Sequence, residues 1–174
     1  MEASLARLVT IDSHPDLTPR VGLYFAQLED VRAETKRYVS GLTSEKLSWS
    51  PHSTVESIGT QLLHIAGVER SWIGEDIEGR RMGEEWALAF PLRVNLPQVQ
   101  GEPLDYFLGK LDAVREETRA ALAQLTDADL EREIQTLDST PESDRFTIEW
   151  ILYHLIEHEA HHRGQIALMK RLLA

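Results

Sequence analysis

The chain has 174 residues, 42% hydrophobic and 27% charged, with a formal net charge of −11 at pH 7 and no cysteine. That size suits one domain with a substantial core, and the composition argues against disorder. The acidic balance argues against a phosphate-gripping nucleic-acid face, and the absence of cysteine excludes disulfides, thiolate metal ligands and a cysteine nucleophile.

No apolar run approaches the roughly 20 residues that span a bilayer, so no membrane partner is expected. The opening MEASLARLVTIDSH lacks the apolar core of a signal peptide. The expectation is a cytoplasmic protein with a single domain over 1–174, of which 1–17 form an N-terminal extension. The sequence reads as free of low-complexity segments and internal repeats.

The first helix is predicted to start at Thr18-Pro19, an N-cap followed by proline at the first helical position, and to stop near Gly41. Val21, Phe25, Leu28, Val31, Val39 and Leu42 recur along it at helical spacing. LTSEKLSWSP reads as a short helical turn. Ser53-Thr54-Val55-Glu56 fits a capping box and is predicted to open the second helix, SIGTQLLHIAGVERSWI, running to about residue 73. Residues 77–101 hold two prolines and no clear period, and read as a long irregular connection with Trp86 and Phe90 placed to cover a site. The third helix is predicted from Glu102-Pro103 to Leu125. A turn, TDADLEREI, and a polar run lead to the last helix, capped by Thr147. No strand is predicted. Four helices of about 20 residues, each with one apolar stripe, define an all-α four-helix bundle.

The last helix carries four of the seven histidines, 154, 158, 161 and 162. With His158 as zero at about 100° per residue, His162 falls at roughly +40°, His154 at −40° and His161 at −60°. The apolar residues Ile151, Leu155 and Met169 share that side, so the histidines are predicted to face inward. Burying several imidazoles without partners is costly, and a metal held by the i, i+4 pair His158 and His162 relieves part of that cost. The alternative is a set of core histidines satisfied by hydrogen bonds. His154 and His161 read as hydrogen-bonding or cavity-lining groups.

HEAHH also satisfies the zinc-protease pattern H-E-x-x-H. That reading expects a third ligand further along, and RGQIALMKRLLA offers no His, Asp or Glu. A di-iron bundle needs a second E-x-x-H, which is absent. A third ligand is therefore sought upstream. His14 and His52 adjoin prolines in loops. His64 lies inside the second helix among Ser57, Thr60, Gly67, Val68 and Ser71, a stripe of small residues that suggests a pocket.

SIGTQLLHIAGVERSWI followed by YHLIEHEAHHRGQI resembles the DinB-like (YfiT-like) family of metal-dependent enzymes, as does LTSEKLSWSP ahead of the first of these segments. The resemblance runs from about residue 20 to the C-terminus. It implies a DinB-like four-helix bundle in up-down-down-up order, with a long crossover between helices two and three. It also implies a divalent metal, zinc or nickel, on His64, His158 and His162, and a homodimer. Some relatives are thiol-dependent S-transferases or isomerases, so a low-molecular-weight thiol is an implied cosubstrate.

Three histidines leave coordination positions open for water or substrate, as in catalytic sites. The expected function is a metal-dependent transferase or hydrolase acting on a small molecule. The alternative is a non-catalytic metal- or ligand-binding stress-response protein. Catalytic residues are not fixed by the sequence. Glu159 and His161 are candidate acid–base groups, although Glu159 reads equally as a solvent-facing carboxylate or a partner of Arg163. Gln165 is a candidate hydrogen-bonding group behind the ligands.

Overall fold

The computed structural model describes residues 8–90, 98–136 and 140–173. The predicted N-terminal extension and the 77–101 connection thus lie partly outside the described residues. Among the described residues, no helix is long and apolar enough to cross a membrane.

Helix α1 spans Pro19–Val39 and ends before Gly41, whose φ of 75° suits glycine. Thr18 makes no capping bond. Instead Asp127, in a later 3-10 turn over Asp127–Glu131, accepts from the backbone N–H of Arg20 at 2.9 Å and Val21 at 3.1 Å. Helix α2, Ser44–Ser48, is the expected turn and buries Leu47. Helix α3, Ile58–Arg70, starts later than predicted, because Ser57 rather than Ser53 caps it by accepting from the Thr60 N–H. Residues 50–55 are held in their own turn, where the His52 ring accepts from the Thr54 N–H. Beyond Arg70 the chain continues as a π-helical segment, Ser71–Ile77.

A 3-10 turn, Glu84–Ala89, interrupts the connection predicted to be irregular. Helix α4 spans Leu104–Leu122. Within this all-α fold two short strands that were not predicted, β1 Glu133–Ile134 and β2 Phe146–Thr147, pair antiparallel with Glu133 opposite Thr147. At two residues each they are too short to show the alternation that marks a strand. Helix α5, Ile148–Leu172, is capped as predicted, with Thr147 Oγ1 accepting from the Trp150 N–H at 3.1 Å.

The core has two apolar clusters. The first gathers Val39, Leu62, Phe107, Leu111 and Ile166; the second gathers Val21, Phe25, Val68, Leu122 and Ile151. Helices α1 and α5 run from the second cluster to the first, whereas α3 and α4 run from the first to the second. The order is therefore up-down-down-up. Because α3 and α4 run the same way, their connection must return along the whole bundle, which accounts for its length.

Between the clusters lie four buried charges, one from each long helix: Arg32, Glu69, Arg115 and Glu159, each at most 4% exposed. Arg32 donates to Glu69 at 2.7 Å and to Glu159 at 2.9 Å. Arg115 donates to Glu69 at 2.8 Å and lies 3.6 Å from Glu159. The layer is neutral as a whole, and losing one member leaves an uncompensated buried charge at a cost of about 3–5 kcal/mol. It also uncovers a local repeat that contradicts the initial reading: LEDVRAET at 28–35 and LDAVREET at 111–118 share Leu, Val, Arg, Glu and Thr at the same places. In both octads the Leu, Val, Arg and Thr are buried.

Candidate metal centre

Helices α3 and α5 pack antiparallel, and their seam carries the histidines. His64 projects from α3, with His158 and His162 one turn apart on α5. One ring nitrogen from each lies within 4.8 Å of the others. His64 Nε2 and His158 Nε2 are 3.3 Å apart, and the His162 ring centroid is 5.0 Å from that of His64.

The second nitrogen of His64 is fixed from outside the seam. Its Nδ1 lies 2.9 Å from the carbonyl oxygen of Ala89. A carbonyl only accepts, so the proton sits on Nδ1 and the Nε2 lone pair faces His158. Gly67 makes this contact feasible. A Cβ at Gly67 would lie 2.5 Å from the Ala89 Cβ, so only glycine lets the 84–89 turn approach this closely.

The electrostatics favour neutral rings. Burial, together with repulsion from His162 and His64, holds His158 down to about 3. Burial and repulsion from His64 and His161 hold His162 down to about 4, opposed by a hydrogen bond the ring makes with Gln165. Both rings are therefore unprotonated at neutral pH, the form that binds metals. Among the described residues, His162 Nδ1 is buried without a hydrogen-bond partner.

The donor set fits a divalent metal. Two nitrogens at 2.0–2.1 Å from a tetrahedral zinc stand about 3.3–3.4 Å apart. The separation of the two Nε2 atoms agrees with that distance and is long for a hydrogen bond. Imidazole donors of this kind suit zinc, nickel, copper or iron.

The cluster stands between two hollows. One, of about 400 Å³, has His64 and His158 in its wall with Val68, Trp72, Glu75 and Phe90. The other, of about 510 Å³, reaches His162 past Val55, Gln61, Leu168 and Met169. The π-helical segment supplies Trp72 and Glu75 to the first hollow. Such segments place side chains at positions an α-helix would not.

The remaining predicted residues agree with expectation in some places and depart from it in others. Glu159 is neither exposed nor paired with Arg163; it is buried in the charge layer, accepting from Arg32. His158 faces α3, and the next residue, about 100° round the helix, faces the bundle interior. His161 is exposed, correcting its inward assignment, and its Nε2 lies 2.9 Å from the Gln165 amide nitrogen. Gln165 is exposed too, on the rim of the second hollow. His154 stacks on Trp150, with ring centroids 4.9 Å apart, and lines the first hollow. Phe90 meets His64 edge-on at 5.3 Å, whereas Trp86 packs against the first core cluster instead of covering the site.

Sequence reasoning missed the Ala89 carbonyl and the charge layer. The layer had a signal. Arg32 and Arg115 occupy inner-stripe positions four residues after Leu28 and Leu111, and Glu69 sits in an otherwise apolar turn.

Fold and site together define a crossed four-helix bundle with a three-histidine cluster on the seam of two antiparallel helices. Residues 27–166 match the DinB superfamily, and the chain belongs to it. It is 25% identical over 162 residues to the uncharacterized protein YkkA of Bacillus subtilis, covering 90% of this chain and 89% of that protein. Its fold is also similar to that of a conserved protein from Enterococcus faecalis, with TM-score 0.66, 16% identity and coverage of 87% and 95% of the two chains. A DinB-like protein from Bacillus cereus gives TM-score 0.57 at 20% identity, covering 87% and 91%.

Proposed function

We propose that the protein is a metal-dependent enzyme that holds a divalent metal, zinc or nickel, through His64, His158 and His162 and acts on a small molecule. The observation that carries this is the pair of opposed Nε2 atoms at 3.3 Å, one with its tautomer fixed by Ala89. A metal there would supply Lewis-acid activation of a water, a thiol or a carbonyl. The protein's own part is to bind and orient. Trp72 and Phe90 give the first hollow apolar walls, while Ser71 and Glu75 give it hydrogen-bonding groups. Because the chain has no cysteine, a thiol nucleophile would enter as a low-molecular-weight cosubstrate. S-transfer is the favoured reaction class, with hydrolysis the runner-up.

The test is calorimetric titration of chelator-stripped protein with zinc and nickel, followed by an activity screen with thiol cosubstrates. One metal per chain is expected, with affinity at least 100-fold weaker in His162→Ala, which leaves only two ligands. Equal binding by wild type and His162→Ala would refute the ligand assignment.

A further inference from the structure

We infer that the buried charge layer is a positioning device: Glu69 and Glu159, clamped by Arg32 and Arg115, set the register of α3 against α5 that brings His64 opposite His158 and His162. The inference rests on the metal reading and adds to it the residues that hold the site in place.

Each carboxylate lies within five residues of a proposed ligand on its own helix. Glu69 follows His64 by five residues, about 7.5 Å along α3. Glu159 directly follows His158 on α5 and precedes His162 by three. The two helices that supply ligands are thus joined, beside those ligands, through shared arginines. Arg32 reaches Glu69 at 2.7 Å and Glu159 at 2.9 Å; Arg115 reaches Glu69 at 2.8 Å and Glu159 at 3.6 Å. The arginines are themselves anchored. Arg32 donates to the Leu111 carbonyl at 2.7 Å and Arg115 to Glu29 at 2.9 Å, so α1 and α4 serve as the frame. Thr118 adds a bond to Glu69 at 2.7 Å.

Apolar seams tolerate small axial slips, because Leu and Ile contacts carry little direction. Charge-assisted bonds do not. A slip of one helical turn, about 5.4 Å, would break every bond that spans the two helices. Stability alone does not account for the layer, since well-packed apolar side chains in place of a buried ion network are often as stable or more so. Fixing register is the best-attested use of such a network.

The test uses Co2+ titrated into the full chain, read by affinity and by the visible d–d absorption of the bound ion. Glu159→Gln keeps the size of the side chain and removes the charge. It should bind Co2+ about tenfold more weakly, with an altered spectrum, while remaining helical by circular dichroism. Leu130→Ala, a core truncation in the second cluster, should lose thermal stability and keep both Co2+ affinity and spectrum. Should Glu159→Gln fail to fold, Arg115→Lys, which keeps the charge and loses the fork, carries the same expectation. Unchanged affinity and spectrum in the charge-layer variants, or equal losses in Leu130→Ala, would overturn the inference and leave the metal reading standing. A wild-type chain that binds no Co2+ would overturn both.

Discussion

Gly67 shows how one missing side chain can govern a site it does not touch. Its hydrogen atom leaves the space that brings Ala89 within 2.9 Å of His64. Gly67→Ala should gain about 1 kcal/mol of helix propensity while pushing the 84–89 turn away. Thermal stability should then change little, and metal affinity should fall about 10–100-fold as His64 loses the group that orients it. Calorimetry beside a thermal melt separates the two effects. His158 and His162 give a pH prediction. Their folded values of about 3 and about 4 lie below the ordinary histidine value of 6.5. As pH falls below 6.5, the unfolded chain takes up protons that the folded chain refuses. The metal-free protein should therefore lose stability as pH drops from 6.5 toward 4. A His158→Asn/His162→Asn variant, melted over the same range in chelator, should lose less.

Helix α5 carries two of the three proposed ligands, well downstream of its N-terminus. Thr147 caps it and also sits in the β1–β2 clasp. Thr147→Ala should cost about 1 kcal/mol in denaturant melts, with metal affinity of the folded protein retained. The helices were legible because apolar residues at 3.6-residue spacing leave a strong trace. Their starts were less so. Ser53-x-x-Glu56 and Ser57-x-x-Thr60 are competing caps four residues apart, and the choice between them falls to a side-chain turn at Ser50–Val55 that no helical pattern reveals. The same limit explains Glu159. A helical wheel gives an angle on one helix but not the neighbour met at that angle, and here the neighbour is an arginine on α1.

At the scale of the molecule, the pairing of His64 with His158 and His162 was legible because helix interiors rarely hold three imidazoles without purpose. The charge layer left only a partial signal, since an arginine on an apolar stripe looks like an interruption until its carboxylates arrive from two other helices. It also sets the acid limit of the fold. Glu69 is held at about 2 by Arg115 and Arg32 against the burial that would raise it, below its ordinary value of 4.5. Its contribution to stability is complete above pH 4.5 and is lost as pH falls toward 2. Glu69→Gln should therefore flatten the acid limb of a pH–stability curve while lowering stability at pH 7 by roughly 3–5 kcal/mol.

The layer has one more consequence, for how the chain assembles. Two positive and two negative charges balance only when all four helices are present. A partly folded form lacking α5 would leave two guanidinium groups with Glu69 as their one buried carboxylate, Glu29 meeting Arg115 only from the surface, and one lacking α1 would bury two carboxylates against a single guanidinium group. Such three-helix species are penalised from either direction, so folding should proceed without a populated three-helix intermediate. Native-state hydrogen exchange should then show the central turns of α1, α3, α4 and α5 opening together with one free energy, and protection persisting in three helices after α5 has exchanged would contradict this.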